Sequence, residues 1–196
     1  MKRKPKMPKL IFFAGSARKE SFNKKLAKAA SEKAKSLGAT VTYIDLADYP
    51  MPILCEDLES EHGLPDAAKT LKKLFIDHDG FLVACPEYNS SYTPLLKNTL
   101  DWMSRPGDDG TNCFAGKVSA IMAASPGGLG GMRMLPQLRL YLSHIAMHGT
   151  SVIPKQFSLP HAGDALNDNG KLIGDHPMFD ACVDQFVETA KLLKKQ

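Results

Sequence analysis

Short apolar, β-prone runs that alternate with helical segments constrain this 196-residue chain more than any other feature. The runs lie at Lys9–Ala14, Thr40–Asp45, Gly80–Ala84, Lys117–Ala123 and Thr150–Ile153. Strands that are apolar on both faces are typical of a parallel sheet covered by helices on each side. The alternation therefore predicts an α/β fold.

The segments between and after these runs have apolar residues at three- and four-residue steps, the spacing of amphipathic helices. They predict helices at 22–37, Ala67–Phe75, Leu95–Met103, Met134–Met147 and Phe179–Leu193. This element count fits a flavodoxin-like doubly wound sheet of five parallel strands in order 2-1-3-4-5, with helices on both faces. Pro136 lies about one turn into the fourth of these helices and predicts a late start or a kink.

The net charge of +4 belongs to the N-terminus and not to the folded body. The first nine residues hold five basic side chains and no acidic one, so the remaining residues sum to −1. Residues 1–8 are therefore interpreted as a basic flexible tail, and residues 9–196 as a single domain. Because nucleic-acid binding needs basic side chains along a folded face, we expect no nucleic-acid partner.

The lengths of the apolar runs and the spacing of the cysteines indicate the cellular compartment of the protein. No run approaches the roughly 18 apolar residues that a membrane helix needs. The apolar run after the tail is too short for the core of a secretory signal. The four cysteines are widely spaced, without a CxxC pair or metal-finger spacing. We expect no membrane partner, and a cytoplasmic location with reduced thiols.

Three unusual loops follow strands one, three and four, at the carboxyl edge where doubly wound sheets bind ligands. They span Gly15–Phe22, Cys85–Tyr92 and Ala124–Gly131. The first reads GSARKESFN through Asn23, and its hydroxyls and guanidinium precede a helix N-terminus, a combination that favours a phosphate. The spacings of a Walker loop, a GxGxxG fingerprint and a cysteine phosphatase loop are absent, so phosphate is predicted to be held and not cleaved. A capped helix with a solvated arginine stays the alternative.

The other two loops indicate what the phosphate belongs to. CPEYNSSYTP is stiffened by Pro86 and Pro94 and offers the aromatic faces of Tyr88 and Tyr92. SPGGLGGM holds four glycines in five residues, which permits close approach of the backbone to a ligand. A phosphate site, an aromatic loop and a glycine-rich loop at one edge together predict a mononucleotide with a flat ring, and FMN fits that description.

These motifs resemble the NADPH-dependent FMN reductase family, which includes quinone, chromate and azo-dye reductases. GSARKESFN is similar to the family's GSxRxxSxN phosphate motif, PEYNSSYTPLLKNTLDW to its PEYNxSxxxxLKNxxDW segment, and SPGGLGG to its glycine-rich loop. The similarity covers roughly Lys9 to Ile153. The resemblance implies an FMN-binding domain whose cofactor-binding residues are Ser16, Arg18, Ser21, Phe22, Asn23, Pro86, Glu87, Tyr88, Asn89, Ser125 and Gly128.

The resulting hypothesis is an FMN-dependent NAD(P)H oxidoreductase that delivers electrons to a quinone, flavin, azo or metal-oxyanion acceptor. The resemblance implies that NADPH or NADH gives hydride to the flavin N5, so no protein side chain is predicted to be catalytic. It also implies a homodimer or homotetramer. Two alternatives stay open: a non-enzymatic flavodoxin-type electron carrier and a flavin-free binding module. An arginine in the phosphate loop and a near-neutral body disfavour the carrier.

Several other polar features are predicted to be structural. His144 and His148 are spaced like two zinc ligands on a helix but lack the glutamate of HExxH, so we expect packing and no metal. Glu87 could serve as a general base, and a structural carboxylate is at least as compatible with its position. Gln156–Pro177 is long and polar for a loop and is expected to cover the site or a neighbouring subunit.

Overall fold

The computed structural model describes residues 7–107, 110–147, 149–167 and 169–194. Within that part, the strands are β1 (Lys9–Ala14), β2 (Thr40–Tyr43), β3 (Gly80–Ala84), β4 (Val118–Ala124), β5 (Ser151–Val152) and β6 (Phe157–Leu159). The helices are α1 (Phe22–Ser36), α2 (Glu56–His62), α3 (Asp66–Ile76), α4 (Pro94–Ser104), α5 (Leu135–His144), α6 (Ala162–Ala165) and α7 (Pro177–Leu193). The named strands all pair in parallel, as the α/β prediction requires.

The strand order is β2-β1-β3-β4-β5, which confirms the predicted order 2-1-3-4-5. The predicted count of five strands was wrong, since the described residues contain a sixth, β6. Strand β5 pairs with Val118 and Ser119 at the start of β4, and β6 pairs with Met122–Ala124 at its end. The fifth position of the sheet is therefore shared by two short strands on the same edge of β4.

Pro154 and Arg139 account for this interrupted strand. Proline has no N–H to donate to a sheet ladder, so pairing stops where Pro154 lies. The Arg139 guanidinium donates to the carbonyl of Ile153 at 2.8 Å and to that of Pro154 at 3.2 Å. These carbonyls gain the hydrogen bonds that a continuous strand would have supplied.

Alternate residues of β1 face two hydrophobic cores on opposite sides of the sheet. Leu10 and Phe12 face α1 and α7, where Phe12 meets Phe186 with ring centroids 5.9 Å apart. Phe13 faces α3, α4 and α5, and its ring lies 5.9 Å from that of Phe75. Burial of each such ring contributes about 1.5–3 kcal/mol. The two cores lie on opposite faces of one sheet.

The long helices lie where the periodicity predicts them, with shifted ends. Helix α2 was missed because it is a polar segment without a buried residue, and so it has no apolar period. Pro136 falls in the first turn of α5, where its missing N–H costs nothing. That helix starts at Leu135, one residue after the predicted start, and ends at His144, before the predicted Met147.

The N-terminal segment is described from Met7 onward. The carbonyl of Pro8 accepts a hydrogen bond from the Thr40 N–H at 2.9 Å, and that of Met7 accepts one from Lys194 Nζ at 3.1 Å. The basic residues predicted to form a flexible tail lie mostly in 1–6, outside the described residues. Among the helices that the structure describes, none has the length and apolarity required to cross a membrane.

Candidate cofactor site

The loops after β1, β3 and β4 meet at the carboxyl edge of the sheet and enclose a cleft of about 310 Å³. Among the described residues, its lining consists of Ser16, Arg18, Ser21, Phe22, Asn23, Pro86, Glu87, Tyr88, Ala124, Ser125 and Pro126. Nine of the eleven residues expected from the sequence belong to this described lining, whereas Asn89 and Gly128 do not. Three loops far apart in sequence thus form one cleft, and their contacts with a ligand stay a prediction.

Gly15 turns the chain from β1 into the first loop because no side chain fits there. A Cβ atom at this position would lie 2.9 Å from the Cys85 sulfur and 3.2 Å from the Thr93 hydroxyl oxygen. The Gly15 N–H donates to the carbonyl of Ala84 at 3.0 Å, and the Gly15 carbonyl accepts from the Thr93 hydroxyl at 2.7 Å. The first loop is therefore fixed to β3 and to the cap of α4.

Two buried serines shape the rest of the first loop. The Ser16 hydroxyl oxygen accepts from the Arg18 N–H at 3.3 Å, which folds the loop back on itself. Ser21 caps α1, because its hydroxyl oxygen accepts from the Lys24 N–H at 3.4 Å. Both hydroxyls retain an O–H to donate, and the N–H groups at a helix start carry partial positive charge. This donor set fits a phosphate.

Arg18 adds the positive charge of the cleft. Its guanidinium carbon lies 5.5 Å from the centroid of the Phe22 ring, a cation–π arrangement. The residue is exposed, and no ion pair between described residues involves it. The donors of the guanidinium are therefore open to an anion at the mouth of the cleft.

The side-chain amide of Asn23 hydrogen-bonds within the protein. Its Nδ2 donates to the carbonyl of Ala124 at 2.8 Å, and its Oδ1 accepts from the N–H of the same residue at 2.9 Å. The pair joins the first turn of α1 to the end of β4, and Asn23 is 3% exposed. Any contribution of this residue to ligand binding would pass through its backbone N–H.

The second loop contains a tight turn between Tyr88 and Ser91. Each of these residues donates its N–H to the other's carbonyl, at 2.9 and 3.0 Å. The two central residues, Asn89 and Ser90, have φ angles of 49° and 67°, the left-handed pair of a type I′ turn. A serine in this region costs about 1–2 kcal/mol relative to glycine. Such strain, next to a cleft, is a recurrent feature of functional sites.

Glu87 joins the second loop to the third. Its Oε1 accepts from Arg133 Nε at 2.9 Å and lies 2.8 Å from Nη2 of the same side chain. Its Oε2 accepts from the backbone N–H of Arg133 at 3.0 Å and from that of Met134 at 3.3 Å. The carboxylate thereby caps the approach to α5, whose start carries partial positive charge. With both oxygens occupied, Glu87 acts as a structural carboxylate, the second of its two predicted roles.

The third loop depends on glycine where it passes β4 and β6. A Cβ atom on Gly131 would lie 2.8 Å from that of Ala123, and one on Gly130 would lie 2.4 Å from the Ser158 hydroxyl oxygen. Gly128 lies on the outer side of this loop, where the His161 imidazole nitrogen is 3.6 Å from its would-be Cβ. His161, in the segment after β6, therefore lies beside the third loop. No described residue of Gln156–Pro177 belongs to the lining of the cleft, so the expectation that this segment covers the site or a neighbouring subunit stays a prediction.

Cysteine and histidine side chains can act as nucleophiles or metal ligands. Burial raises the pKa of Cys85 to about 11, so it is a neutral thiol at pH 7. Nowhere in the described part do three or more His, Cys, Asp or Glu side chains gather as a metal site would require. His144 is exposed in the single chain, so its expected packing against a neighbouring subunit stays a prediction, and His148 lies outside the described residues.

The chain matches the NADPH-dependent FMN reductase family over residues 8–164, and it belongs to that family. A 2-hydroxy-1,4-benzoquinone reductase from Burkholderia sp is 32% identical over 85% of this chain and 86% of the relative. A quinone reductase from Pseudomonas putida is 35% identical over 91% of this chain and 92% of the relative. The solved structure of FerB, a flavoenzyme NAD(P)H:(acceptor) oxidoreductase from Paracoccus denitrificans, is 28% identical, covers 95% of this chain and 98% of FerB, and has a TM-score of 0.79.

Family membership confirms the resemblance drawn from the three motifs, and with it the prediction of an oxidoreductase that works with FMN and NAD(P)H. Sequence reasoning missed three parts of the site: Ala124, Pro126 and the contact between Glu87 and Arg133. The charge of Arg133, directly after the glycine-rich loop, was the available signal for that contact. Nothing in the local pattern identified Glu87, 46 residues earlier, as its partner.

Proposed function

We propose that this protein is an FMN-dependent NAD(P)H oxidoreductase whose second substrate is a quinone. The observation that carries the proposal is the convergence of the three loops on one cleft, with a phosphate-type donor set at one end. When bound, FMN supplies the chemistry of accepting hydride from a nicotinamide and delivering electrons to an acceptor. The protein's part is to bind, orient and shield.

The residues present fit FMN from one end of the cleft to the other. Ser16, Ser21 and Arg18 would hold the phosphate, with charge-assisted hydrogen bonds from the guanidinium. The turn at Tyr88 and the third loop would flank the flat ring, the former from Pro86 to Asn89 and the latter from Ser125 to Gly128. Among the described residues that line the cleft, Glu87 is the only carboxylate, and Arg133 holds it in place.

A quinone is favoured as acceptor by the apolar side chains that the second and third loops expose. Tyr88, which lines the cleft, is 57% exposed, and Leu129 and Met132, outside its described lining, are 49% and 52% exposed. Such groups favour flat apolar acceptors over hydrated metal oxyanions. Two of the relatives are named quinone reductases, which supports the same choice. Free flavin, azo dyes and metal oxyanions are the competing acceptors.

Steady-state oxidation of NADPH or NADH by the purified, FMN-loaded protein tests this function. We expect oxidation with 1,4-benzoquinone to proceed without a separate reductase, and to exceed oxidation with an azo dye, free flavin or chromate at equal concentration. An electron carrier would need an added reductase. Failure to oxidise either nicotinamide, or a clear preference for another acceptor, would contradict the proposal.

We further propose that copies of the chain assemble through the cleft between α4 and α5. Leu140 is 65% exposed at this cleft, and the rings of Tyr92 and Tyr141 stack there with centroids 5.3 Å apart. We also propose a location in the reducing cytoplasm, and the four free cysteines support it. Leu140→Glu should lower the mass measured by light scattering towards the 21.4 kDa of one chain. A monomeric wild type would contradict the assembly.

A further inference from the structure

We propose that the ion pair between Lys24 and Asp45 positions the first loop for the FMN phosphate, and that Lys24 is a positioning residue of the site. Lys24 Nζ lies 2.6 Å from Asp45 Oδ2 and 3.4 Å from the carbonyl oxygen of Ala17. The Lys24 side chain is 7% exposed and that of Asp45 30%. This inference rests on the proposed function, since it concerns the same cofactor.

The position of Lys24 on its helix is unfavourable by itself. It is the third residue of α1, in the first turn, where the helix dipole disfavours a positive charge. Burial of an ammonium group adds a desolvation cost that is repaid only by a close partner and further hydrogen bonds. Lys28, one turn later, is exposed and avoids both costs. An inward lysine at this place therefore indicates a local requirement for its contacts.

Those contacts join the first loop to the end of β2. Asp45 is itself fixed, because its Oδ1 accepts from the Ala47 N–H at 3.0 Å and caps a short 3₁₀ turn. Through Lys24, this anchored carboxylate reaches the carbonyl of Ala17. Ala17 lies between Ser16 and Arg18, two of the three side chains that are expected to hold the phosphate. A shift of Ala17 would move both of them.

The contribution is one of geometry more than of charge. Lys24 and Asp45 together have a net charge near zero, so their joint field at the phosphate is small beyond a few ångströms. Asn23 holds the adjacent turn to β4, so the first turn of α1 is attached to neighbouring strands on two sides. Removal of the Lys24 contact should leave the ring-binding loops in place and loosen only the phosphate end of the cleft.

Three variants test this role: Lys24→Met, Asp45→Asn, and the double variant, which removes the pair without leaving a lone charge. Affinity is measured by flavin fluorescence for FMN and for riboflavin, which has no phosphate. We expect each variant to bind FMN about tenfold more weakly, which corresponds to about 1.4 kcal/mol, the size of one lost hydrogen bond. Riboflavin should bind within about twofold of wild type. Lys28→Met removes the same charge from the same helix and should bind both flavins like wild type.

The Asp45→Asn variant separates position from charge. If Lys24 acted by attracting the phosphate, freeing it from Asp45 would tighten FMN binding, and that result would overturn the inference. Equal weakening for FMN and riboflavin would overturn it as well, since it would indicate general damage. A wild type that binds neither flavin would instead refute the proposed function. A wild type that binds FMN, with variants that bind it equally well, would refute only the role of Lys24.

Discussion

Arg18→Ala is expected to weaken FMN binding by about 10- to 100-fold, because hydrogen bonds to a charged group contribute about 1.5–3 kcal/mol each. The guanidinium lies against Phe22 at the mouth of the cleft and makes no ion pair with another described residue. The fold loses only this exposed cation–π contact, which contributes about 0.5–1 kcal/mol, so thermal stability without cofactor should change little. Titration of the apoprotein with FMN, followed by flavin fluorescence, measures the effect.

Two comparisons make the Arg18 result specific. Lys19→Ala removes the same charge from the next residue, which is exposed and does not belong to the described lining of the cleft. Because salt screens the attraction between this lysine and the phosphate, FMN affinity should change less than about twofold. Riboflavin should bind Arg18→Ala as it binds wild type. An Arg18→Ala protein that purified with full FMN content and unchanged affinity would contradict the assignment of the FMN phosphate to this loop.

Glu87→Ala is expected to lower both the free energy of unfolding and the affinity for FMN. The backbone N–H groups of Arg133 and Met134 would lose their acceptor, a loss comparable to that of a helix cap, about 0.5–2 kcal/mol. The second and third loops would no longer be joined, so we expect FMN affinity to fall about tenfold. Denaturant unfolding and FMN titration measure the two effects.

A double-mutant cycle with Arg133→Met assigns the Glu87 effect to the contact itself. The Arg133 side chain is 60% exposed, so the ion pair is screened and the backbone hydrogen bonds carry more of the loss. Arg133→Met should therefore be milder than Glu87→Ala, and the two effects should not add. Glu32→Ala is a matched control, because it removes an exposed ion pair with Lys35 far from the cleft. Equal effects of Glu87→Ala and Glu32→Ala would contradict the role of the contact.

The parts of the fold that were predictable are those with a local physical signature. The continuous apolar run of β1 signals burial on both faces, and the glycine after it signals the turn. The same holds for α1 and α7, whose apolar stripes repeat at helical spacing. Helix α2 and strand β6 lack such a signature. One buries no residue, and the other is three residues long and follows a proline.

The site was predictable as a set of loops and not as a set of contacts. The carboxyl-edge rule places the three loops together once the strand order is known. It does not reveal that the Asn23 amide hydrogen-bonds to the backbone of Ala124, 101 residues away, or that the Lys24 side chain forms an ion pair with Asp45. These pairings form across the sheet, and no periodicity along the chain encodes them. The contacts that support the loops were therefore missed, although Asn23 and Glu87 themselves were predicted to belong to the site.

An anaerobic titration of the FMN-reconstituted protein with NADPH tests the central claim most directly. The protein is desalted after reconstitution, its bound flavin is counted from the absorbance spectrum, and nicotinamide is added without any other protein. We predict one FMN per chain and complete loss of the yellow absorbance, reversed by benzoquinone. A colourless protein that takes up no FMN, or a yellow one that NADPH and NADH fail to bleach, would contradict it.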